Sequence, residues 1–209
     1  PFTEHQCAWE SQWPELAAWL RNRTLEQAEQ AHNHPHLLEA PAPFSELAQT
    51  ATALSQLPDW TIERPDNSPE LLQRHIPGRK WQQINHFAHT SQARWRQPAR
   101  HWLDWCAGKG HLGRLLAWQT QQPLLCLEQN GRLNRAGALL SGQFQLTVTH
   151  QDADVLERDS WRYLAPEHSL VALHACGQLH MTLLQQAATR GCAQVALAPC
   201  GYNRIDDAC

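Results

Sequence analysis

The segment His101-Trp-Leu-Asp-Trp-Cys-Ala-Gly-Lys-Gly-His-Leu-Gly113 decides the fold. A short apolar run carries Asp104. A Gly-x-Gly turn follows at Gly108 and Gly110, and an amphipathic segment opens at Leu112. That order predicts strand, tight turn, helix, which is the phosphate- or nucleoside-binding corner of a doubly wound α/β sheet. Gly108 supplies the turn geometry. Gly110 is expected to let the backbone approach a ligand where a Cβ would collide. The first free N–H groups of the next helix point into the same crevice.

Two further strand ends sharpen this reading. Pro123-Leu-Leu-Cys-Leu-Glu128 is an apolar run ending in a carboxylate twenty positions after Gly108. A second parallel strand delivers an acid there to a ribose diol. Gln143-Phe-Gln-Leu-Thr-Val-Thr-His150 alternates as a strand, and Gln151-Asp152-Ala153-Asp154 follows. Asp152 is placed to accept from the exocyclic amine of an adenine. Ligands of open α/β sheets bind outside the carboxyl ends of the strands, so Asp104, Glu128 and Asp152 are expected to converge. The pattern continues with a strand over Ser169–His174, a helix over Leu179–Thr189 and a strand over Gln194–Ala198. Such alternation predicts a parallel sheet in the order 3-2-1-4-5, with right-handed crossovers.

The net charge of −3 hides a strong asymmetry. Residues 1–70 hold three basic and eleven acidic residues; residues 71–103 hold six basic residues and no acid; residues 104–209 hold eight basic and nine acidic. The expected organisation is an acidic helical head (1–70), a basic helical neck (71–103) and a partial sheet domain (104–209). In the head, Trp13, Leu16, Ala17 and Leu20 share a helical face, and Thr24-Leu-Glu-Gln27 is a capping box. Ser45 opens a third helix, and Ser68-Pro69-Glu70 opens a short fourth. The head carries no chemistry and reads as a partner-binding element. In the neck, Trp81, Ile84, Phe87 and Ala88 fall at helical spacing, with Gln82, Gln83, Asn85 and His86 expected outward. Basic residues beside aromatics and amides suit a nucleic-acid backbone. Lying just before the first strand, the neck is expected at the rim of the crevice.

Seven cysteines, an odd number scattered through an α/β pattern, read as free thiols of a reducing, cytoplasmic compartment. No apolar run is long enough to span a bilayer, and the start has no secretory signal pattern. Most of the ten Trp are expected in packing roles.

Three motifs, Asp104-Trp-Cys-Ala-Gly-Lys-Gly-His-Leu112, Leu170-Val-Ala-Leu-His-Ala-Cys-Gly177 and Ala198-Pro-Cys-Gly-Tyr202, occur in that order. In them the chain resembles the seven-stranded, Rossmann-like S-adenosylmethionine-dependent methyltransferases. More narrowly, it resembles the methyltransferase-domain family that includes the glutathione S-transferase C-terminal domain-containing protein and the ribosomal RNA adenine dimethylase domain-containing protein. Members show Pro-Cys-Cys-Tyr-His where this chain has Gly201 and Asn203 in place of the second Cys and the His. The resemblance spans roughly residues 79–205. It implies S-adenosylmethionine as cofactor, held by Asp104, Ala107, Gly108, Gly110, Glu128 and Asp152. It also implies a sixth and a seventh strand beside the fifth; these are expected after Cys209, so the chain reads as a fragment of a longer protein.

The acceptor side is read from the remaining strand ends. His174 is the candidate base. Cys176 and Cys200 stand at two strand ends where RNA cytosine-5 methyltransferases also place cysteines, which opens a covalent route. Lys80, Arg94, Arg96, Pro199 and Tyr202 are the candidate substrate contacts, with RNA as the expected acceptor. A protein or small-molecule acceptor, and a non-catalytic cofactor-binding or partner-recruiting protein, remain alternatives. A nicotinamide dinucleotide also remains open, because Gly108, Gly110 and Gly113 satisfy Gly-x-Gly-x-x-Gly. Against it, Asp104 faces a methionine ammonium better than a pyrophosphate. Metal binding by the histidines of 32–36, or by His174, Cys176, His180 and Cys200, is the weakest reading, since neither set has a defined spacing.

Overall fold

A computed structural model describes residues 7–32, 34, 37, 39–56 and 67–200. The chain divides into two compact units, Pro1–Asp59 and Trp60–Cys209. The first contains helices α1 (Pro14–Arg21), α2 (Leu25–His32) and α3 (Phe44–Ser55). The capping box forms as the sequence predicts: Gln27 N–H donates to Thr24 Oγ1, and Thr24 N–H donates to Gln27 Oε1. Trp13 meets Phe44 edge-on at 5.0 Å. Glu10 and Arg21 form an ion pair. Among the described residues of this unit only Ala17 is buried, while Trp9, Trp13, Leu20, Leu25, Leu47 and Leu54 are exposed.

The second unit is a parallel five-stranded sheet in the order β3-β2-β1-β4-β5. Its elements are α4 (Glu70–Gln73), α5 (Gly78–Arg94), β1 (His101–Trp105), α6 (His111–Thr120), β2 (Leu124–Glu128), α7 (Gly131–Ser141), β3 (Val148–Asp152), β4 (His168–Cys176), α8 (Gln178–Thr189) and β5 (Gln194–Cys200). A 3-10 turn at Arg158–Tyr163 lies between β3 and β4.

Side-chain alternation along β1 divides the core. Trp102 joins a cluster with Trp81, Ile84, Leu115 and Leu116 on the α5–α6 face. Leu103 and Trp105 join Leu127, Leu170 and Leu183 on the other. Leu72, Trp81, Ile84 and Ala88 lie in the same cluster as Trp102. The neck therefore packs into the core of the sheet domain. Asn85, expected outward, is buried in α5. Gly113 packs α6 onto the sheet: a Cβ there would lie 2.7 Å from Leu124 and 3.0 Å from the Asp104 Cβ.

Three strand boundaries differ from the sequence reading for identifiable reasons. β3 starts at Val148 because Phe144 and Leu146 pack into the core before the ladder with β2 begins at Leu124↔Val148. β4 continues past His174, but the register against β5 shifts between Leu173 and Ala175, and His174 takes a φ of 65°. This irregularity re-aims the His174 side chain out of the sheet. β5 runs on to Cys200, in register with Cys176, and these two cysteines form a disulfide with Cα atoms 4.6 Å apart. The expectation that all seven thiols are free is thus corrected by tertiary pairing of two adjacent strand ends. Cys7, Cys106, Cys126 and Cys192 are free. Among the described residues no helix is long and apolar enough to cross a membrane.

Candidate active site

The carboxyl edge of the sheet carries two cavities that meet at Cys106. The larger, about 400 Å³, is lined by Asp104, Ala107, Gly108, Lys109, His111, His174, Lys80 and His75, with an apolar wall from Ile76, Ile84, Leu112 and Leu173. The smaller, about 130 Å³, is lined by Glu128, Gln129, Asp154 and the apolar Leu127, Ala153, Val155, Leu156 and Leu179.

The turn between β1 and α6 builds the wall between them. Gly108 and Gly110 adopt φ values of 58° and 67°. Nothing lies within 4 Å of a Cβ added at Gly108, which opens onto the larger cavity. Gly110 is buried, and a Cβ there would lie 2.9 Å from Cys126 Sγ and from His150 Cε1. Its lack of a side chain therefore serves packing against β2 and β3, where ligand approach was expected. Glu128 fixes the turn: Oε2 accepts from Gly108 N–H at 3.0 Å, and Oε1 from Asn130 N–H at 2.9 Å. A carboxylate has about four acceptor sites, so each oxygen retains capacity for a hydroxyl donor.

Asp104 is 3% exposed, and its Oδ2 accepts from Gly113 N–H at 2.9 Å. Burial raises its carboxyl to about 7, against the lowering effects of the Gly113 N–H and Arg114. Burial, with Glu128, Asp104 and Asp154 nearby, pushes the Cys106 thiol up to about 12. It stands at the junction of the cavities as a protonated thiol, not a nucleophile.

The third acid is not where the spacing argument put it. Asp152 is exposed on the α7 side, where Oδ1 accepts from Asn134 Nδ2. Asp152 lies opposite Glu128 in register, yet it borders a separate surface depression with Asn134, Arg135 and His150. Asp154, two residues on, lines the smaller cavity instead. Residues two apart on a strand share a face, but the chain turns out of β3 after Asp152, so spacing alone does not choose between the two acids.

On the acceptor side, His174 lines the larger cavity, and its Nε2 meets Gln83 Oε1 at 3.3 Å. Cys176 and Cys200 are held in their disulfide beside it and carry no thiolate in this state. Pro199 is exposed in β5, in register with Ala175, and lines neither cavity. Tyr202 lies outside the described residues. The neck divides: Lys80, in the first turn of α5, lines the larger cavity, whereas Arg94 and Arg96 line a depression with Gln97 and Gln194 at the amino edge of the sheet. A 17-residue helix spans about 25 Å, so the neck crosses the sheet from rim to base and does not lie along the rim. His75, Lys109, His111, Gln83 and Asp154 complete the site. The only sequence signal for the pairing of His111 with Arg114 is their three-residue spacing on a helix.

A glycine turn at the carboxyl edge of a parallel sheet, a carboxylate at the end of β2 that holds it and a cleft along that edge define a Rossmann-like domain. Residues 79–208 match the family described as methyltransferase domain, and the chain belongs to that family. The narrower likenesses to the glutathione S-transferase C-terminal and rRNA adenine dimethylase domain-containing proteins are not among these findings. No curated protein matches the chain significantly. Among solved structures it is similar to the plantazolicin methyltransferase BpumL in complex with S-adenosylhomocysteine (11% identity, 62% of this chain and 50% of that one, TM-score 0.45). It is also similar to geranyl diphosphate methyltransferase with geranyl diphosphate and sinefungin (9% identity, 54% and 41%, TM-score 0.45). A third is the cyclopropane synthase MmaA2 from Mycobacterium tuberculosis (16% identity, 54% and 35%, TM-score 0.38). The chain spans half or less of the length of each.

Proposed function

We propose that the crevice binds S-adenosylmethionine and that the protein transfers its methyl group to RNA. The observation that carries the cofactor half is the convergence of Asp104, the Gly108 turn, Glu128 and Asp154 on two joined cavities. The residues fit the cofactor's parts. The apolar smaller cavity with Asp154 suits an adenine and its exocyclic amine. Glu128 keeps acceptor sites for the ribose diol, and Asp104 offers a buried carboxylate to the ammonium of the methionine end. Asp154 takes the adenine role that spacing assigned to Asp152.

The bound sulfonium supplies a methyl group already activated for displacement. The chain's residues therefore need to orient the ligands and to take a proton where the acceptor must lose one. With Gln83 Oε1 accepting from His174 Nε2–H, His174 Nδ1 is the atom left to accept that proton. The disulfide leaves Cys176 and Cys200 outside a covalent route unless it is first reduced.

The RNA half rests on the acid-free neck and on Lys80 and Lys109 at the crevice. Arg94 and Arg96, at the far end of α5, would touch flanking nucleotides and not the acceptor base. The exposed apolar and acidic surface of the first unit suits a protein partner. Titration calorimetry tests the cofactor: heat on adding S-adenosylhomocysteine is expected, and heat with NAD alone reverses the reading. Filter binding of structured RNA over a salt series tests the acceptor. Steep weakening with salt is expected. Absent or salt-independent binding transfers the proposal to a protein or small-molecule acceptor.

A further inference from the structure

We propose that His111 is a fixed, neutral hydrogen-bond donor of the crevice, its tautomer set by the buried Arg114, and that with Lys80 and Lys109 it receives an anionic oxygen of the bound ligand. The inference rests on the cofactor reading above and adds a residue and a ligand chemistry to that site.

Arg114 is 2% exposed within α6. Its Nη1 donates to the Lys109 carbonyl at 3.0 Å and to Ser141 Oγ at 3.3 Å; its Nη2 lies 2.8 Å from His111 Nδ1. A guanidinium in a protein has only donors and is not deprotonated. His111 Nδ1 must therefore accept, and the single ring proton resides on Nε2. The imidazole lines the larger cavity with Lys80, Lys109 and His75, and among the described residues Asp104 is the only carboxylate in that lining. Burial, with Arg114, Lys80 and Lys109 close by, lowers the imidazole to about 4, so the ring stays neutral at physiological pH. A neutral donor beside two ammonium groups fits a carboxylate or phosphate oxygen. It does not fit a general base, because the nitrogen able to take a proton is already occupied by Arg114.

Arg114 is a positioning residue. The Lys109 carbonyl that it binds belongs to the glycine turn. Ser141 Oγ in turn meets His150 Nε2 at 3.0 Å, tying that turn to α7 and β3. The anionic oxygen has two chemical sources: the carboxylate of the cofactor's methionine end, or a phosphate or carboxylate of the methyl acceptor.

The test uses the full chain with His111→Phe, which keeps a ring and removes the donor, and His111→Gln, which restores an N–H near the Nε2 position. Nitrogen-15 NMR of the wild type at neutral pH is expected to show Nδ1 unprotonated and Nε2 protonated. Calorimetry then compares S-adenosylhomocysteine, its decarboxylated analogue and inorganic phosphate. If the cofactor carboxylate is the ligand, the wild type prefers S-adenosylhomocysteine over the decarboxylated analogue by at least about tenfold; Phe abolishes that preference and Gln restores part of it. If the acceptor supplies the anion, S-adenosylhomocysteine binds all three proteins alike, while phosphate binds the wild type and Gln but not Phe. A protonated Nδ1, or identical binding of all three probes by wild type and Phe, overturns the proposal. Failure of the wild type to bind S-adenosylhomocysteine while the NMR and phosphate results hold sinks the cofactor reading alone.

Discussion

The two edges of the sheet are built for different purposes. At the amino edge, Trp95 stacks on Trp102 at 4.8 Å, and the Trp102 indole N–H donates to Thr120 Oγ1 at 2.8 Å. At the carboxyl edge, Cys106, Gly108, Gly110, His174 and Gly177 all take positive φ, and Asp104 holds a carboxyl shifted by burial. Left-handed conformations at non-glycine residues are costly and persist where the surroundings enforce them, which is characteristic of ligand sites. One edge is a packed base, and the other lines the two cavities.

Trp102→Ala tests that division most severely. It empties a fully buried indole site at the base of β1, and a loss of about 3–5 kcal/mol in denaturant-derived stability is expected. The fraction that remains folded keeps its affinity for S-adenosylhomocysteine; a matching loss of affinity would mean that the edges are not separable. Glu128→Ala acts in the opposite sense. It removes the acceptor for Gly108 and Asn130 and should weaken S-adenosylhomocysteine by roughly 1–3 kcal/mol in calorimetry. An unchanged affinity would displace Glu128 from the ribose site.

Asp154→Asn and Asp152→Asn sharpen the comparison within a single strand end. The first should cost the cofactor about 1 kcal/mol, the worth of one hydrogen bond, because Asp154 lines the cavity. The second alters only the contact with Asn134 and should leave affinity unchanged. The reverse result would return the adenine role to Asp152.

Asp104 supplies a pH signature. Its folded value of about 7 lies above the ordinary 3.8, so the folded state holds the proton more tightly. The resulting stability is fully present below about pH 4 and is lost as pH rises through 7. Melting temperatures of wild type relative to Asp104→Asn should therefore converge or cross as pH rises from 4.5 to 8. Binding of the ammonium should release part of a proton near pH 6.5, seen as a buffer-dependent calorimetric heat. A constant difference and no proton release would mean that Asp104 does not titrate in this range. The smallest change is expected from Arg94→Ala with Arg96→Ala. Cofactor affinity should stay the same, and only the salt slope of RNA binding should fall. Equal losses of cofactor affinity here and in Glu128→Ala would place both ends of α5 in one site.

Much of the fold was legible because hydrophobic period and turn chemistry are local. The run through Asp104 to Gly113 specified strand, turn and helix, and β2 was bounded by Leu124 and Glu128 as read from its apolar run. The capping box at Thr24 and the packing glycine at Gly113 were equally local, since each depends on neighbours a few residues away or on one flanking strand. The site was legible only where a residue's placement follows from its position at a strand end, as for Asp104 and Glu128 in the cavity linings.

By itself the sequence determined the alternation of strands and helices, the sheet order and the first two acids of the crevice, because those follow from periodicity and from the handed connections of βα units. Tertiary structure alone decided the rest. Register brought Cys176 against Cys200, and a register shift turned His174 into the cavity. The turn after β3 put Asp154, and not Asp152, in the lining of the smaller cavity. The length of α5 carried Arg94 and Arg96 away from Lys80. Burial of Arg114 against His111 fixed a ring nitrogen. Each of these depends on which side chains face one another across elements, and that is set by packing of distant segments and not by the order of residues along one of them.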